Sequence, residues 1–96
     1  MNEPSTPGRR GRSRERETIP VTRTLDRGLA ILEAVADASE LSLSDIARAT
    51  QISASTAFRL IETLEQRGFL SRAEESGLYR VGARAFHVGA GFAAAT

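Results

Sequence analysis

Residues 53–64 read Ser53-Ala54-Ser55-Thr56-Ala57-Phe58-Arg59-Leu60-Ile61-Glu62-Thr63-Leu64. The stretch opens with small and hydroxyl-bearing side chains, and Phe58, Leu60 and Ile61 appear only later, around a single arginine. A serine just before a helical run is a good N-cap, because its oxygen accepts an otherwise orphaned backbone N–H. On a helical wheel with Ser55 at zero, Leu60, Leu64, Ala57, Ile61, Ala54 and Phe58 fall between about 140° and 300°. Glu62, Ser55, Gln66, Arg59, Thr63 and Thr56 fall between about 340° and 100°. The faces separate cleanly except for Glu65. The spacing predicts a helix capped by Ser53 and running to Arg67, with Gly68 just beyond it, where a left-handed residue stops a helix.

The free face is graded along its length. Its first two turns show Ser53, Ser55, Thr56 and Arg59, and its later turns show Glu62 and Gln66. A helix that reads base edges has to fit a major groove about 12 Å wide. Small side chains at its tip permit that approach, and the exposed N–H groups and positive dipole end there favour phosphate. Hydroxyls bond to phosphates or bases, and an arginine pairs with guanine O6 and N7. Carboxylates further along would be repelled, so only the first two turns suit DNA. Ser53 is also explained by capping alone, and Arg59 by an ion pair with Glu62 at i+3 on a solvated face, worth a few tenths of a kcal/mol.

Outward from this helix the chain is short and punctuated. Thr24 reads as an N-cap with Asp26 in the first turn, and Leu25, Leu29, Leu32, Val35 and Ala36 follow at helical spacing, predicting a first helix from Leu25 to about Ala38. Gly28 inside it suggests a close contact, or simply a tolerated glycine. A second, short helix is expected from near Ser44 to near Thr50, with Ile46, Ala47 and Ala49 on its apolar face. Thr50-Gln51-Ile52 is a tight connector. After Gly68, the runs 69–72 and 78–81 are β-prone and flank a turn-like 73–77, predicting a hairpin. Residues 83–88 begin another helix, and the Gly- and Ala-rich 89–96 should fray. The expected fold is mainly α with a small β-hairpin, a winged helix-turn-helix made of a three-helix bundle and a two-stranded wing, with residues 53–67 in the recognition position.

Arg72 and Arg80 sit on the two strands of the wing, and Ser76-Gly77 at its tip. A wing lies over the minor groove or the backbone, where arginine is useful. Both arginines are therefore candidate phosphate contacts, or else plain strand-surface residues; Glu74 and Glu75 put negative charge near the same tip.

Ninety-six residues make one small domain. The net charge of +1 hides an asymmetry. Every basic residue is arginine, and residues 1–23 hold six of them (Arg9, Arg10, Arg12, Arg14, Arg16 and Arg23) against three glutamates. Residues 24–96 hold seven arginines against nine acids. Residues 1–20, poor in apolar side chains, are expected to be a disordered Arg-rich tail, either an arm that touches phosphates or a solvated leader.

Catalysis is not expected. The chain has no cysteine and no lysine, and His87 is its only histidine, with no acid nearby in sequence. Gly8, Gly11 and Gly28 form no phosphate-binding loop, and one histidine with scattered acids makes no metal site. No cofactor is expected. No apolar run spans a membrane and no apolar core follows the basic N-terminus, so the expected location is the cytoplasm.

The segment 24–89 resembles the N-terminal DNA-binding domain of the IclR family of bacterial transcription regulators. The resemblance rests on Leu25-Asp26-Arg27-Gly28-Leu29-Ala30-Ile31-Leu32, Ser53-Ala54-Ser55-Thr56-Ala57-Phe58-Arg59-Leu60-Ile61, Leu64-Glu65-Gln66-Arg67-Gly68-Phe69-Leu70 and Tyr79-Arg80-Val81-Gly82. It implies a DNA-binding domain over 24–85, promoter binding as a dimer or tetramer, and Ser55, Thr56 and Arg59 facing the major groove. It also implies the start of a linker helix at 86–96. Members of the family carry a larger C-terminal effector-binding domain. This chain stops near the linker, so no small-molecule effector site is expected in it. The family's turn usually has glycine where Gln51 stands. The partner expected is double-stranded promoter DNA, with a homodimer when the full linker is present. The alternative is a winged-helix protein-interaction module, which Glu62, Glu65, Glu74 and Glu75 would suit better.

Overall fold

The computed structural model describes residues 20–95, so the expected tail lies almost wholly outside the described residues. Four helices and one hairpin follow in order: α1 (Arg23–Ala38), α2 (Leu43–Thr50), α3 (Ala54–Gln66), β1 (Leu70–Arg72), β2 (Tyr79–Val81) and α4 (Ala83–Ala95).

Helix α1 starts earlier than its sequence suggests. The Asp26 N–H bonds to the Thr22 carbonyl at 2.9 Å, so Thr22 is the N-cap and Thr24 lies inside the helix. The Thr22 side chain makes no capping bond. Gly28 meets no close neighbour: a Cβ there would find nothing within 4 Å. The glycine is tolerated in open space, and no tight packing explains it. Ser39 ends the helix at φ 76°, an unusual value for a residue with a side chain.

Helices α2 and α3 are both capped by serine. Ser42 Oγ accepts from the Asp45 N–H at 3.1 Å, and Ser53 Oγ accepts from the Thr56 N–H at 3.3 Å. Between them Gln51 takes the left-handed conformation at φ 59°. That single residue reverses the chain, and its N–H still bonds to the Ala47 carbonyl. Helix α3 stops at Gly68, φ 83°, with the Phe69 N–H returning to the Leu64 carbonyl at 2.8 Å.

The core is one cluster in which every element except α4 takes part. Ile31 and Val35 of α1, Ile46 of α2, Ala57 and Ile61 of α3, Leu70 of β1 and Tyr79 of β2 are buried together with Ile52 of the turn. Each fully buried isoleucine contributes roughly 1.5–3 kcal/mol by leaving water. Their helical spacing sets how α3 is rolled, and so which of its faces remains outside.

The strands pair antiparallel, with Leu70 opposite Val81, Ser71 opposite Arg80 and Arg72 opposite Tyr79. Leu41 adds a bridge to Tyr79 through two backbone bonds of 3.0 and 2.8 Å, which ties the chain entering α2 to the wing. Helix α4 is fastened at its start, where the Gly82 N–H bonds to the Phe69 carbonyl and the Arg84 N–H to the Gly68 carbonyl, at 2.8 and 3.0 Å. It then continues as helix through Gly89 and Gly91 to Ala95, although none of its residues is buried.

Candidate nucleic-acid interface

The capping geometry and the core determine what α3 presents. Ala57 and Ile61 are buried, which turns Ser55, Arg59, Glu62, Thr63 and Gln66 outward. Ser53 is exposed but its oxygen already serves as the cap. Thr56 is half-buried at the edge of the stripe. The ion pairs among the described residues join Arg48 to Asp45 and Arg80 to Glu40. Arg59 is therefore not held by Glu62, and its guanidinium has no ion-pair partner among the described residues.

A shallow cleft runs along this face, lined by Thr56, Arg59, Leu60, Glu62, Thr63, Gln66 and, from the first turn of α1, Thr24. No local sequence signal places α1 here. Only the way the helices cross brings its N-terminus beside the presented stripe.

The wing arginines separate. Arg72 stands opposite the buried Tyr79, and Arg80 opposite Ser71. Adjacent rungs of a ladder point to opposite faces, so the two arginines leave the hairpin on opposite sides. Arg72 lies on the side of α3 and passes over the tip, where a Cβ on Gly77 would be 3.2 Å from its Nη2. It shares a cleft there with Leu43, Phe58, Glu62, Glu65 and Tyr79. Arg80 is on the other side, 3.0 Å from Glu40. Phe58, which the wheel assigns to the packed face, is 41% exposed between α3 and the wing. On the wheel it lies at the outer edge of the apolar arc, at about 300°, whereas the buried Ala57 and Ile61 lie nearer its middle.

Among the described residues no cluster of histidine and carboxylates could hold a metal ion. No described helix is long and apolar enough to cross a membrane.

The model of the IclR helix-turn-helix domain matches residues 24–74. The acetate operon repressor of Salmonella typhimurium is 39% identical over a 90-residue alignment that covers 90% of this chain and 33% of that protein. The transcriptional repressor IclR of Escherichia coli is 37% identical over the same shares. Among solved structures, an IclR family transcriptional regulator from Brucella abortus superimposes with a TM-score of 0.69 at 29% identity, covering 80% of this chain and 30% of that one. Pseudomonas aeruginosa HmgR gives 0.68 at 30% identity, over 73% and 29% of the two chains. The chain thus spans about a third of the length of these relatives. With this winged helix-turn-helix, the chain belongs to the IclR family of transcription regulators.

Proposed function

We propose that the chain binds double-stranded operator DNA in a sequence-specific manner, as the DNA-reading part of a bacterial cytoplasmic regulator. The DNA-binding unit is residues 24–85. The N-terminal half of α3 enters the major groove, with Ser53, Ser55 and Thr56 at phosphates or base edges and Arg59 on a base. The wing lies along the backbone or minor groove with Arg72, and with Arg80 once that side chain leaves Glu40.

One observation carries this reading. Arg59 is exposed and free of Glu62, one turn from a helix tip made of small hydroxyl residues. A surface arginine without a carboxylate partner keeps its full charge and all of its donors for an incoming ligand. Glu62 and Glu65 fall further along α3, which limits insertion to the first two turns.

Among the described residues, two apolar surfaces are left uncovered. Phe86, Val88 and Phe92 of α4 are 72%, 59% and 77% exposed. A groove between α1 and the second half of α3 is lined by Leu25, Leu29, Leu32, Leu60, Leu64 and Phe69. We assign these surfaces to pairing between two copies, which would present two recognition helices to one operator.

Selection of bound duplexes from a random library, run with this chain and with Arg59→Ala, tests the function. The unaltered chain should enrich a defined site. Arg59→Ala should lose about 1–3 kcal/mol of binding and relax the preference at one base pair. An equal loss on every sequence would make Arg59 a phosphate contact. No enrichment by the unaltered chain would favour a protein-interaction module instead.

A further inference from the structure

Helix α3 carries a single aromatic residue, Phe58, and the fold does not use it for its core. The ring is 41% exposed, and Phe58 belongs neither to the buried cluster nor to the half-buried residues packed against it. It stands one turn after Ala54 and Ser55, which are small and exposed. Side chains on a helix lean toward its N-terminus, so the ring is carried toward the tip, where Ala54 and Ser55 leave the space beside it open. Phe58 and Arg59 are about 100° apart around the helix, and Ser55, one turn nearer the tip, falls between them. Arg59 thus flanks the presented stripe on the side of Thr24 and Thr63. Phe58 flanks it on the side of the wing, where Arg72 and Gly77 line the same cleft.

We infer that Phe58 is a second base-reading residue, which packs on the 5-methyl group of a thymine while Arg59 reads a neighbouring base pair. This inference rests on the DNA-binding function proposed for α3. The chemistry is suitable: among the four bases only thymine presents a methyl group in the major groove, and an apolar ring recognises it without a hydrogen bond. The placement is suitable as well. The methyl projects at the rim of the groove, toward the sugar-phosphate strand that carries the thymine, and Phe58 lies at the rim of the presented stripe. A phosphate of that strand falls to Arg72, whose side chain passes over the wing tip at Gly77. Glu62 and Glu65 line the same cleft further along α3 and repel phosphate there, which places the thymine toward Ser55. The ring leaves apolar surface in water in the free protein and covers it in the complex, which favours association wherever the methyl is present.

The test uses the duplex selected by the full chain, with each thymine replaced in turn by deoxyuridine, which keeps every hydrogen-bonding group and removes only the methyl. Binding is followed by fluorescence anisotropy for the full chain, Phe58→Ala and Phe58→Leu. The selected site should hold a thymine beside the base pair whose preference Arg59→Ala relaxes. At that thymine, deoxyuridine should weaken binding by the full chain roughly fourfold, the effect of one buried methyl group. Phe58→Ala should bind the two duplexes equally, and Phe58→Leu should keep part of the difference. Each variant is compared with itself on two duplexes, so any change in its folding stability cancels. A selected site indifferent to deoxyuridine at every thymine, or a loss of the same size for the full chain and Phe58→Ala, would overturn the role of Phe58 and leave operator reading through Arg59 intact. Failure of the full chain to enrich any site would remove operator reading, and the role of Phe58 with it.

Discussion

Arg80 Nη2 lies 3.0 Å from Glu40 Oε2, so the outward arginine of the wing is already engaged by a carboxylate, whereas Arg72 on the inner side has no ion-pair partner among the described residues. Both partners are about half exposed, at 52% and 43%, and such screened pairs contribute about 0–1 kcal/mol to folding. Glu40→Gln is expected to change folding stability by less than about 0.5 kcal/mol. It should strengthen DNA binding at low salt, because it removes a negative charge and releases Arg80. Arg80→Ala should weaken binding less than Arg72→Ala in the unaltered chain, and more in the Glu40→Gln background. Anisotropy titrations at fixed ionic strength, with urea melts as control, read both effects. Weaker binding by Glu40→Gln would show that Glu40 holds Arg80 in its working position.

Gly82 is the joint between wing and α4, and a side chain cannot be accommodated there. A Cβ at this position would run into the carbonyl oxygen of Gly68 and lie 3.2 Å from the Leu70 carbonyl carbon. These are backbone atoms, fixed by the bonds from Gly82 to Phe69 and from Arg84 to Gly68. Gly82→Ala should cost about 1–3 kcal/mol, the range for overpacking a closed site. Gly28→Ala is the matched control in open space and should add about 0.5–1 kcal/mol through helix propensity. Urea midpoints of the two variants should therefore move in opposite directions.

Much of this fold is legible in the sequence because its signals are local. Ser53 with a small first turn, Gly68 after an apolar helix, and two β-prone runs around a five-residue turn each specify their own conformation without help from elsewhere. The same is true of Ser55 and Arg59, whose exposure follows from the burial of Ala57 and Ile61 on the opposite face. What the sequence hides depends on long-range placement. The opposite orientation of Arg72 and Arg80 follows from the register of the hairpin, which pairs Arg72 with Tyr79, and the turn residues alone do not determine it. Thr24 reads as a cap because its neighbours permit one, yet the Asp26 N–H reaches back to Thr22 and the helix starts a little earlier. The run from Gly89 reads as too flexible to hold, but the alanines around Gly89 and Gly91 favour helix enough to continue α4 to Ala95.

Two non-glycine residues hold positive φ at the helix ends, Ser39 at 76° and Gln51 at 59°. Gln51 sits in the left-handed well, where a side chain costs roughly 1–2 kcal/mol relative to the right-handed conformation. Ser39, at ψ −48°, is near the γ-turn region, which is rarer and more strained. Gln51→Gly and Ser39→Gly are both expected to stabilise the fold, each by up to about 1 kcal/mol, with Ser39→Gly the larger. Neither residue belongs to the face assigned to DNA, so the preferred sequence should not move. Thermal and urea unfolding of the two variants and their double mutant check this, and the effects should add because the sites share no partner. A loss of stability at Gln51 would mean that its side chain does more in the turn than its backbone angle suggests.

The exposed apolar face of α4 leads to the last expectation. Phe86 and Phe92 are 72% and 77% exposed, and Leu25 and Leu29, on the groove lined by α1 and α3, are 62% and 50% exposed. Exposed aromatic and aliphatic residues concentrated on two surfaces of so small a domain mark interaction sites. Replacing both phenylalanines by serine removes the insertion side of a pairing surface and leaves the buried cluster untouched, since α4 contributes nothing to it. The variant should sediment as a monomer at concentrations where the unaltered chain self-associates, with a thermal transition of the same cooperativity. Its affinity for the selected operator should fall towards the range of non-specific binding, about 10⁻⁴ to 10⁻⁶ M, because a single recognition helix with a wing touches too little of the duplex to bind tightly. Sedimentation equilibrium and operator titration on the same samples couple the two quantities. A monomeric unaltered chain that binds its operator at nanomolar concentration would separate DNA affinity from pairing and assign the apolar face of α4 to a different partner.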